Sequence, residues 1–208
     1  MTLFSLFGKK TFSHGIHPEE YKTKTSAKPT RRLPFAPEII VPLAQSIGKP
    51  AKALVFKGQQ VSRGEIIAEA DGFMSVPIHA PVTGQVSAID IFMTATGQKL
   101  PAISITSSLN SGQMILDSEN HQDYLQLSRS ELIQAVKNTG MVGLGGAAFP
   151  THVKMSIPDD RKIHTILVNG CECEPFLTTD HRVMLEKIEQ LLLGIRIAMK
   201  CVDAPKAI

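Results

Sequence analysis

Short apolar stretches separated by glycine turns run from Ala53 to about Ser107, and this spacing constrains the fold more than any other feature of the chain. The stretches read ALVFKGQQV, SRGEIIAEA, PIHAPVTGQVSAIDI and LPAISIT. Regularly spaced short strands with turn residues between them are typical of small β folds. The segment therefore predicts a compact all-β module.

The same segment resembles the lipoyl/biotinyl-type barrel-sandwich hybrid. The pattern V-x-x-G-x-x-V-x-x-G appears as VFKGQQVSRG, and A-P-x-x-G-x-V appears as APVTGQV. Carriers of that family have a lysine at a hairpin tip, seven positions before the Ala of the Ala-Pro pair, and Phe73 stands there in this chain. Phe73 has no amine to acylate, so covalent biotin or lipoate is excluded at this site. The resemblance implies the fold without the carrier function, and we expect a docking or packing element.

Length and composition limit the classes of function. The chain has 208 residues, of which 43% are hydrophobic and 20% charged, close to a soluble globular average. Its net charge is +3, with no Trp and two Tyr, so we expect no nucleic-acid binding. No run approaches the ~20 apolar residues of a membrane helix, so we expect no direct membrane span. Three cysteines favour a reducing compartment and hence the cytoplasm.

The order of parts predicts an α/β multidomain protein. Residues 1–38 predict an irregular basic arm, which we expect to lie over another part of the protein or to meet an acidic partner or anionic headgroups. The barrel-sandwich hybrid domain is assigned to residues 39–110, and a polar break separates it from an α/β domain over residues 120–208. The basic residues of the arm are Lys9, Lys10, Lys22, Lys24, Lys28, Arg31 and Arg32.

Three elements are predicted within the α/β domain. A capping box of Ser128 with Glu131 opens a helix that ends at Gly140. The apolar run IHTILV, residues 163–168, predicts a buried strand, and the PKAI at 205–208 predicts the start of another. Residues 179–200 predict one helix with an apolar face, with the hydroxyls of FLTTD capping its start.

The loop GLGGAAFPTHVK, from Gly143 to Lys154, allows several interpretations. A Walker A loop is excluded because no Gly-Lys pair occurs. GLGGAA satisfies the dinucleotide pattern G-x-G-x-x-A, but a helix rather than a strand precedes it. A third interpretation is a glycine cradle for a phosphate or flavin, leading through Pro150 into a short helix that carries Lys154. The simplest alternative is a tight turn followed by a solvated lysine.

GLGGAAFPTHVK followed by VNGCECEPFLTTDHR resembles the flavin- and NADH-binding subunit of respiratory complex I, whose glycine loop ends in G-F-P-T-x-x-K before a strand and N-x-x-E-x-E-P. Together with HGIHPEEYK and the lysine-free β module, it is more similar to the RnfC family of Rnf electron-transport complexes. The resemblance spans nearly the whole chain. It implies a Rossmann-like FMN- and NADH-binding domain over residues 120–208, truncated at its C-terminus.

The resemblance also implies the site residues. The backbone cradle for FMN and the nicotinamide nucleotide falls at three glycines, and Lys154 falls where the family pairs the FMN phosphate. Asn169 and Glu172 fall where strand-end groups hold the ribityl chain and ring. Phe149 and Glu174 fall near the nucleotide. The three glycines are Gly143, Gly145 and Gly146.

Three positions depart from the complex I pattern. Leu144 replaces an Arg, Ala148 replaces a Gly and so adds a methyl group at a close approach, and Cys171 replaces an Asp. Cys171 and Cys173 with a nearby His offer a conceivable metal site, but no second Cys pair is present, and His14 and His17 in HGIH favour a turn. We therefore expect no metal site.

The resemblance implies a component of a membrane-associated NADH:ferredoxin or related oxidoreductase, peripheral on the cytoplasmic face and bound to other subunits of the complex. Three cysteines cannot hold an all-cysteine four-ligand cluster, so we expect the iron–sulfur clusters in a missing C-terminal region, and little turnover by this chain alone. Two alternatives remain: a cobalamin-reductase-type flavoprotein with the same loop, and a noncatalytic docking module.

Overall fold

A computed structural model describes residues 18–116, 123–124, 126–158 and 160–208. The chain divides into two compact units: Met1–Arg31 with Asn169–Leu191, and Arg32–Val168 with Leu192–Ile208. The first 17 residues of the predicted basic arm, with Lys9, Lys10, His14 and His17, lie outside the described residues.

Seven strands form the β part of the larger unit, in two sheets. The four-stranded sheet has the order β1-β7-β6-β3, the three-stranded sheet has the order β2-β4-β5, and every pairing is antiparallel. The stretch between β1 and β7 contains strands and turns without a helix, so the predicted all-β module is confirmed. The strands are β1 Glu38–Pro42, β2 Lys52–Ala53, β3 Gln60–Val61, β4 Ile66–Glu69, β5 Ile78–His79, β6 Gly84–Met93 and β7 Lys99–Ser107.

The core of the module comes from both sheets. Ile67, Val86 and Ile103 have no exposed surface, and ten further apolar side chains complete the cluster. Ser104 is also fully buried, but its hydroxyl donates to Glu38 Oε1 over 2.6 Å and accepts from Ser87 Oγ at 2.8 Å. A buried hydroxyl costs little when its hydrogen bonds are made, so this polar group is compatible with the core.

Two glycines of the quoted patterns are required by the backbone. Gly64 has φ +92°, in the left-handed region that disfavours side chains. A Cβ on Gly84 would lie 2.2 Å from the Thr106 carbonyl oxygen, where β6 approaches β7. The glycine spacing thus reports a turn and a close strand contact, which explains why it predicts the fold.

Helix α1, Arg129–Asn138, confirms the predicted capping box. The Ser128 side chain accepts from the Glu131 N–H, and the Glu131 carboxylate accepts from the Ser128 N–H at 2.8 Å. Hydrogen bonds from the Ser128 hydroxyl and from the Ser128 N–H lower the pKa of Glu131. Leu132 on this helix is 1% exposed, and Gly140 follows the helix at φ +71°. The stop at Gly140 is therefore also confirmed.

The single helix predicted over residues 179–200 is wrong. After the five-residue helix α2, Thr151–Met155, the structure has α3, Thr179–Glu186, and α4, Ile188–Val202. The last two are separated at Lys187, whose φ of −133° is not helical. No Pro or Gly marks Lys187, so the sequence carries no local signal for the break. Among the described residues, no helix is long and apolar enough to cross a membrane.

The buried strand predicted over residues 163–168 is also wrong. The segment makes one parallel bridge, Ile166 with Ala207, and three backbone hydrogen bonds to residues 206–208. Leu167 is 77% exposed and Val168 is 41% exposed. A continuous apolar run predicts burial on both faces only where helices or further strands cover it. This run has one short pairing partner among the described residues, and its side chains stay accessible.

Candidate functional site

The glycine loop is a closed hairpin in the larger unit. Val142 and Pro150 form an antiparallel bridge, and the Gly143 N–H donates to the Phe149 carbonyl over 2.9 Å. Thr151 N–H donates to Met141 O at 3.0 Å, where the loop passes into α2. These bonds fix the two ends of the loop, so its tip is held on an ordered base.

Lys154 lies on α2, as the sequence predicts, and its ammonium lies against the base of this loop. A Cβ built on Gly143 would be 2.7 Å from Lys154 Nζ, so a side chain at Gly143 would displace the ammonium. The same nitrogen lies 5.9 Å from the centre of the Phe149 ring. Within the described residues Lys154 forms no salt bridge, and its charge is available to an anion.

The tip of the loop is open. A Cβ at Gly145 or Gly146 would meet no atom within 4 Å, and Leu144 is 90% exposed. The Gly145 and Gly146 N–H groups donate no backbone hydrogen bond to other described residues. Exposed, undonated backbone N–H groups near a cation are the features that bind phosphate in glycine loops. The Gly143 N–H, by contrast, is used within the hairpin.

The β hairpin without a carrier lysine contacts α2. His152, which is 3% exposed, donates from Nε2 to the Phe73 carbonyl over 2.9 Å, because a carbonyl can only accept. The two rings meet edge to face with centres 5.9 Å apart. The expected packing role of the hairpin tip therefore has a specific partner in α2.

The other predicted site residues lie in the smaller unit. Asn169 Oδ1 accepts the Cys171 N–H at 2.9 Å, and the Asn169 side chain is exposed. Glu172 Oε2 accepts the His181 N–H at 3.3 Å, in the first turn of α3. Glu174 is exposed in the same loop. These three residues therefore belong to a different compact unit from the glycine loop.

Capping of α3 differs from the sequence prediction. Thr178 at the N-cap makes no side-chain cap hydrogen bond, so the predicted FLTTD cap is wrong. The Glu172 carboxylate accepts there instead. Partial burial acts to raise the pKa of Glu172, but the backbone N–H groups at the start of α3 and the Lys22 ammonium outweigh that effect and lower it. A carboxylate can replace a local hydroxyl because a helix N-terminus attracts negative charge.

A segment of the predicted arm holds this loop in place, which confirms that the arm lies over another part of the protein. The Lys22 ammonium donates to the carbonyls of Glu172 and Leu177. Tyr21 stacks on Phe176 with ring centres 4.9 Å apart, and Thr25 Oγ1 donates to Phe176 O at 2.7 Å. Because these contacts join residues about 150 positions apart, sequence reasoning missed them, as it missed the contact between the buried histidine of α2 and the hairpin tip.

The cysteines differ in accessibility. Cys171 and Cys173 are exposed, whereas Cys201 is fully buried. Burial raises the pKa of the Cys201 thiol, against a smaller opposing effect of Arg129. Within the part of the chain that the structure describes, no three His, Cys, Asp or Glu side chains are grouped to hold a metal ion.

Comparison with known families supports both halves of the chain. Residues 10–110 match the family model described as the RnfC barrel sandwich hybrid domain. Residues 136–208 match the model of the Nuo51 FMN-binding domain. The chain belongs to the RnfC family. The predicted fold class, a barrel-sandwich hybrid followed by an FMN-binding α/β domain, is thereby confirmed.

Curated RnfC-type relatives cover nearly the whole chain. It is 35% identical over 198 residues to the RnfC-type subunit of the proton-translocating ferredoxin:NAD(+) oxidoreductase complex of Clostridium ljungdahlii, a match covering 95% of this chain and 43% of the relative. It is 37% identical over 198 residues to the Na(+)-translocating counterpart of Acetobacterium woodii, covering 94% and 44%. The corresponding subunit of the ion-translocating oxidoreductase complex of Citrobacter koseri is 40% identical over 200 residues, covering 95% and 28%.

The chain spans less than half the length of these relatives. All three are subunits of ion-translocating oxidoreductase complexes, which favours the RnfC family over the cobalamin-reductase alternative. The FMN-binding domain model begins at residue 136 and includes the glycine loop, α2 and the Asn169–Glu174 loop. The family assignment therefore covers every predicted site residue.

Proposed function

We propose that the chain is the flavin- and nicotinamide-binding part of an Rnf-type NADH:ferredoxin, or related acceptor, oxidoreductase. One observation carries the proposal: the Lys154 ammonium lies against Gly143 at the base of a loop whose tip exposes the backbone of Gly145 and Gly146. The names of the relatives support the redox partners, because the clostridial and acetobacterial ones belong to ferredoxin:NAD(+) oxidoreductases.

The FMN phosphate fits the residues of the glycine loop. A phosphate needs a cation and N–H donors, and Lys154 supplies the first while Gly145 and Gly146 supply the second. Gly143 contributes space rather than a donor, since its N–H bonds Phe149 O and its missing side chain admits the ammonium. Phe149, beside Lys154, offers an aromatic face to the nicotinamide nucleotide.

The Asn169–Glu174 loop supplies the remaining polar groups. We assign the exposed Asn169 amide to the ribityl hydroxyls and the Glu172 carboxylate to the flavin ring. Glu172 is held by the α3 N-terminus, so its orientation is set before a ligand arrives. Glu174, exposed two positions on, is assigned to the incoming nucleotide.

When bound, FMN supplies the chemistry of accepting a hydride from NADH, and the protein residues bind and orient the two cofactors. The partners we propose are NADH and the other subunits of a membrane electron-transport complex. The chain would then be peripheral, on the cytoplasmic face of the membrane. Iron–sulfur clusters, which need more cysteine ligands than the three present here, belong to other parts of such a system.

Flavin fluorescence titration tests the proposal. We expect the chain to bind FMN more tightly than riboflavin, which lacks the phosphate. In Lys154→Met the loss of a charge-assisted contact weakens FMN by about 1.5–3 kcal/mol and leaves riboflavin unchanged. The matched control is Lys162→Met, an exposed lysine outside the loop. Equal affinity of the unaltered chain for FMN and riboflavin would contradict the proposal.

A further inference from the structure

The position of Lys154 depends on a very short helix. α2 has five residues, and its N-cap Pro150 makes no side-chain cap hydrogen bond. A helix of this length is not stable by itself, because its hydrogen bonds do not offset the entropy of ordering the backbone. Contacts with other elements must therefore hold α2 against the glycine loop.

His152 is the buried side chain of α2. Its Nε2–H donates to the Phe73 carbonyl at 2.9 Å, and its backbone carbonyl accepts from Ser156 Oγ at 2.8 Å. The side chain therefore joins α2 to the tip of the β hairpin between β4 and β5. The hairpin tip is itself packed closely, because a Cβ on Gly48 would lie 2.2 Å from the Met74 carbonyl oxygen.

The barrel module also contacts the glycine loop at a second point. Ile47 N–H donates to Ala148 O over 3.4 Å, one residue before Phe149. A Cβ on Gly140, which precedes the loop, would lie 2.5 Å from Pro77 O, so that part of the backbone also packs on the module. The β module thus supports the loop and α2 from one side.

We infer that His152 is a positioning residue for Lys154, and that the hairpin tip occupied by lysine in carrier domains serves here to hold the phosphate-binding helix through the Phe73 carbonyl. The inference rests on the proposed function, in which Lys154 binds the FMN phosphate. His152 itself touches no ligand in this arrangement. It fixes the register of α2, and with it the distance from the Lys154 ammonium to the loop.

Two substitutions separate the hydrogen bond from simple filling of the space. His152→Phe keeps an aromatic ring and loses the donor, whereas His152→Gln keeps an N–H donor. We expect FMN affinity to fall about tenfold in His152→Phe and to stay within about threefold in His152→Gln, since a displaced ammonium loses most of a charge-assisted contact. Riboflavin affinity stays unchanged in both, because riboflavin has no phosphate. His164→Phe, at an exposed histidine, is the matched control.

A second measurement does not depend on flavin. In the ligand-free chain, hydrogen exchange of the Thr151–Met155 amides should accelerate in His152→Phe and not in His152→Gln. Unchanged FMN affinity and unchanged exchange in His152→Phe would overturn the inference, as would equal losses in both variants, which indicate a packing role alone. If the unaltered chain shows no preference for FMN over riboflavin, the proposed function fails, and the exchange result still decides whether His152 positions Lys154.

Discussion

Ala148 has a left-handed backbone, φ +51°, at the end of the glycine loop. This is the position at which the sequence departs from the glycine of the complex I pattern. The Cβ of an L-residue is disfavoured there by roughly 1–2 kcal/mol. The contacts on either side hold the conformation, since Ala148 O accepts from Ile47 and the neighbouring Phe149 O accepts from Gly143.

Replacing Ala148 with Gly should therefore stabilise the chain. Relief of the left-handed strain exceeds the entropic cost of glycine, and we expect a gain of about 0.5–1 kcal/mol in the free energy of unfolding. The urea midpoint measures it. Ala147→Gly, at an exposed neighbour without positive φ, is the control and should be neutral or destabilising. A gain of the same size in Ala147→Gly would refute strain at Ala148 as the cause.

Single residues show what the sequence could and could not predict. The capping box of Ser128 and Glu131 was predictable because both partners lie within one turn. The cap of α3 was not, because Glu172 reaches it from outside the helix and displaces the nearer Thr178. Lys22 was assigned to a basic arm, and no local pattern indicates that its ammonium bonds the Glu172 carbonyl.

Helices α1 and α2 meet the β module through two histidines. His79 on β5 bonds the backbone of Asn138 at the end of α1, and His152 on α2 bonds the Phe73 carbonyl. Burial is the main cause that lowers the pKa of each, with the backbone bonds opposing it and Lys137 adding to it at His152. His152 Nδ1 is buried without a hydrogen-bond partner among the described residues, so protonation there would bury a bare charge.

This contact should weaken as the pH falls. Both pKa values are lowered in the folded chain from 6.5, so the unfolded chain takes up protons first and folding stability decreases below about pH 6.5. Stability levels off once the pH is below the folded-state values. Urea unfolding between about pH 8 and about pH 5 measures the loss. The double variant His79→Gln, His152→Gln should show a smaller slope, and an unchanged slope would refute the assignment.

At the level of elements, the strands were more predictable than the helices. Gly64 and Gly84 mark a turn and a close strand contact, so their spacing predicts the sheet directly. The break at Lys187 has no residue signal, and the exposure of residues 163–168 depends on which elements cover them. Local chemistry predicts where an element begins, while burial and breaks depend on long-range packing.

At the scale of the molecule, the two compact units divide the proposed site residues between them. The sequence motif predicts all eight residues through the family resemblance, but motif order does not indicate this division. Units with separate contact sets commonly open separately, so each half of the site has its own stability. Gly143, Gly145, Gly146, Phe149 and Lys154 belong to the larger unit, and Asn169, Glu172 and Glu174 belong to the smaller one.

A core substitution tests this separation. Ile103 has no exposed surface and pairs with Val41 and Ile89 in the four-stranded sheet. Ile103→Ala should destabilise the larger unit by about 2–5 kcal/mol through lost burial and a cavity. We expect hydrogen exchange to accelerate in β6 and β7 while the amides of α3 stay unchanged. An equal acceleration in α3 would show that the two units open together.

The exposure of Cys171 and Cys173 gives the chain its own attachment point for an optical label. Both thiols flank Glu172, the residue assigned to the flavin ring, while Cys201 is buried with a raised pKa and so stays unreactive in the folded protein. A thiol-reactive fluorophore would therefore attach beside the proposed cofactor contact without any engineered cysteine. Quenching of such a label by an isoalloxazine ring would report occupancy of the smaller unit, independently of the phosphate that the glycine loop binds.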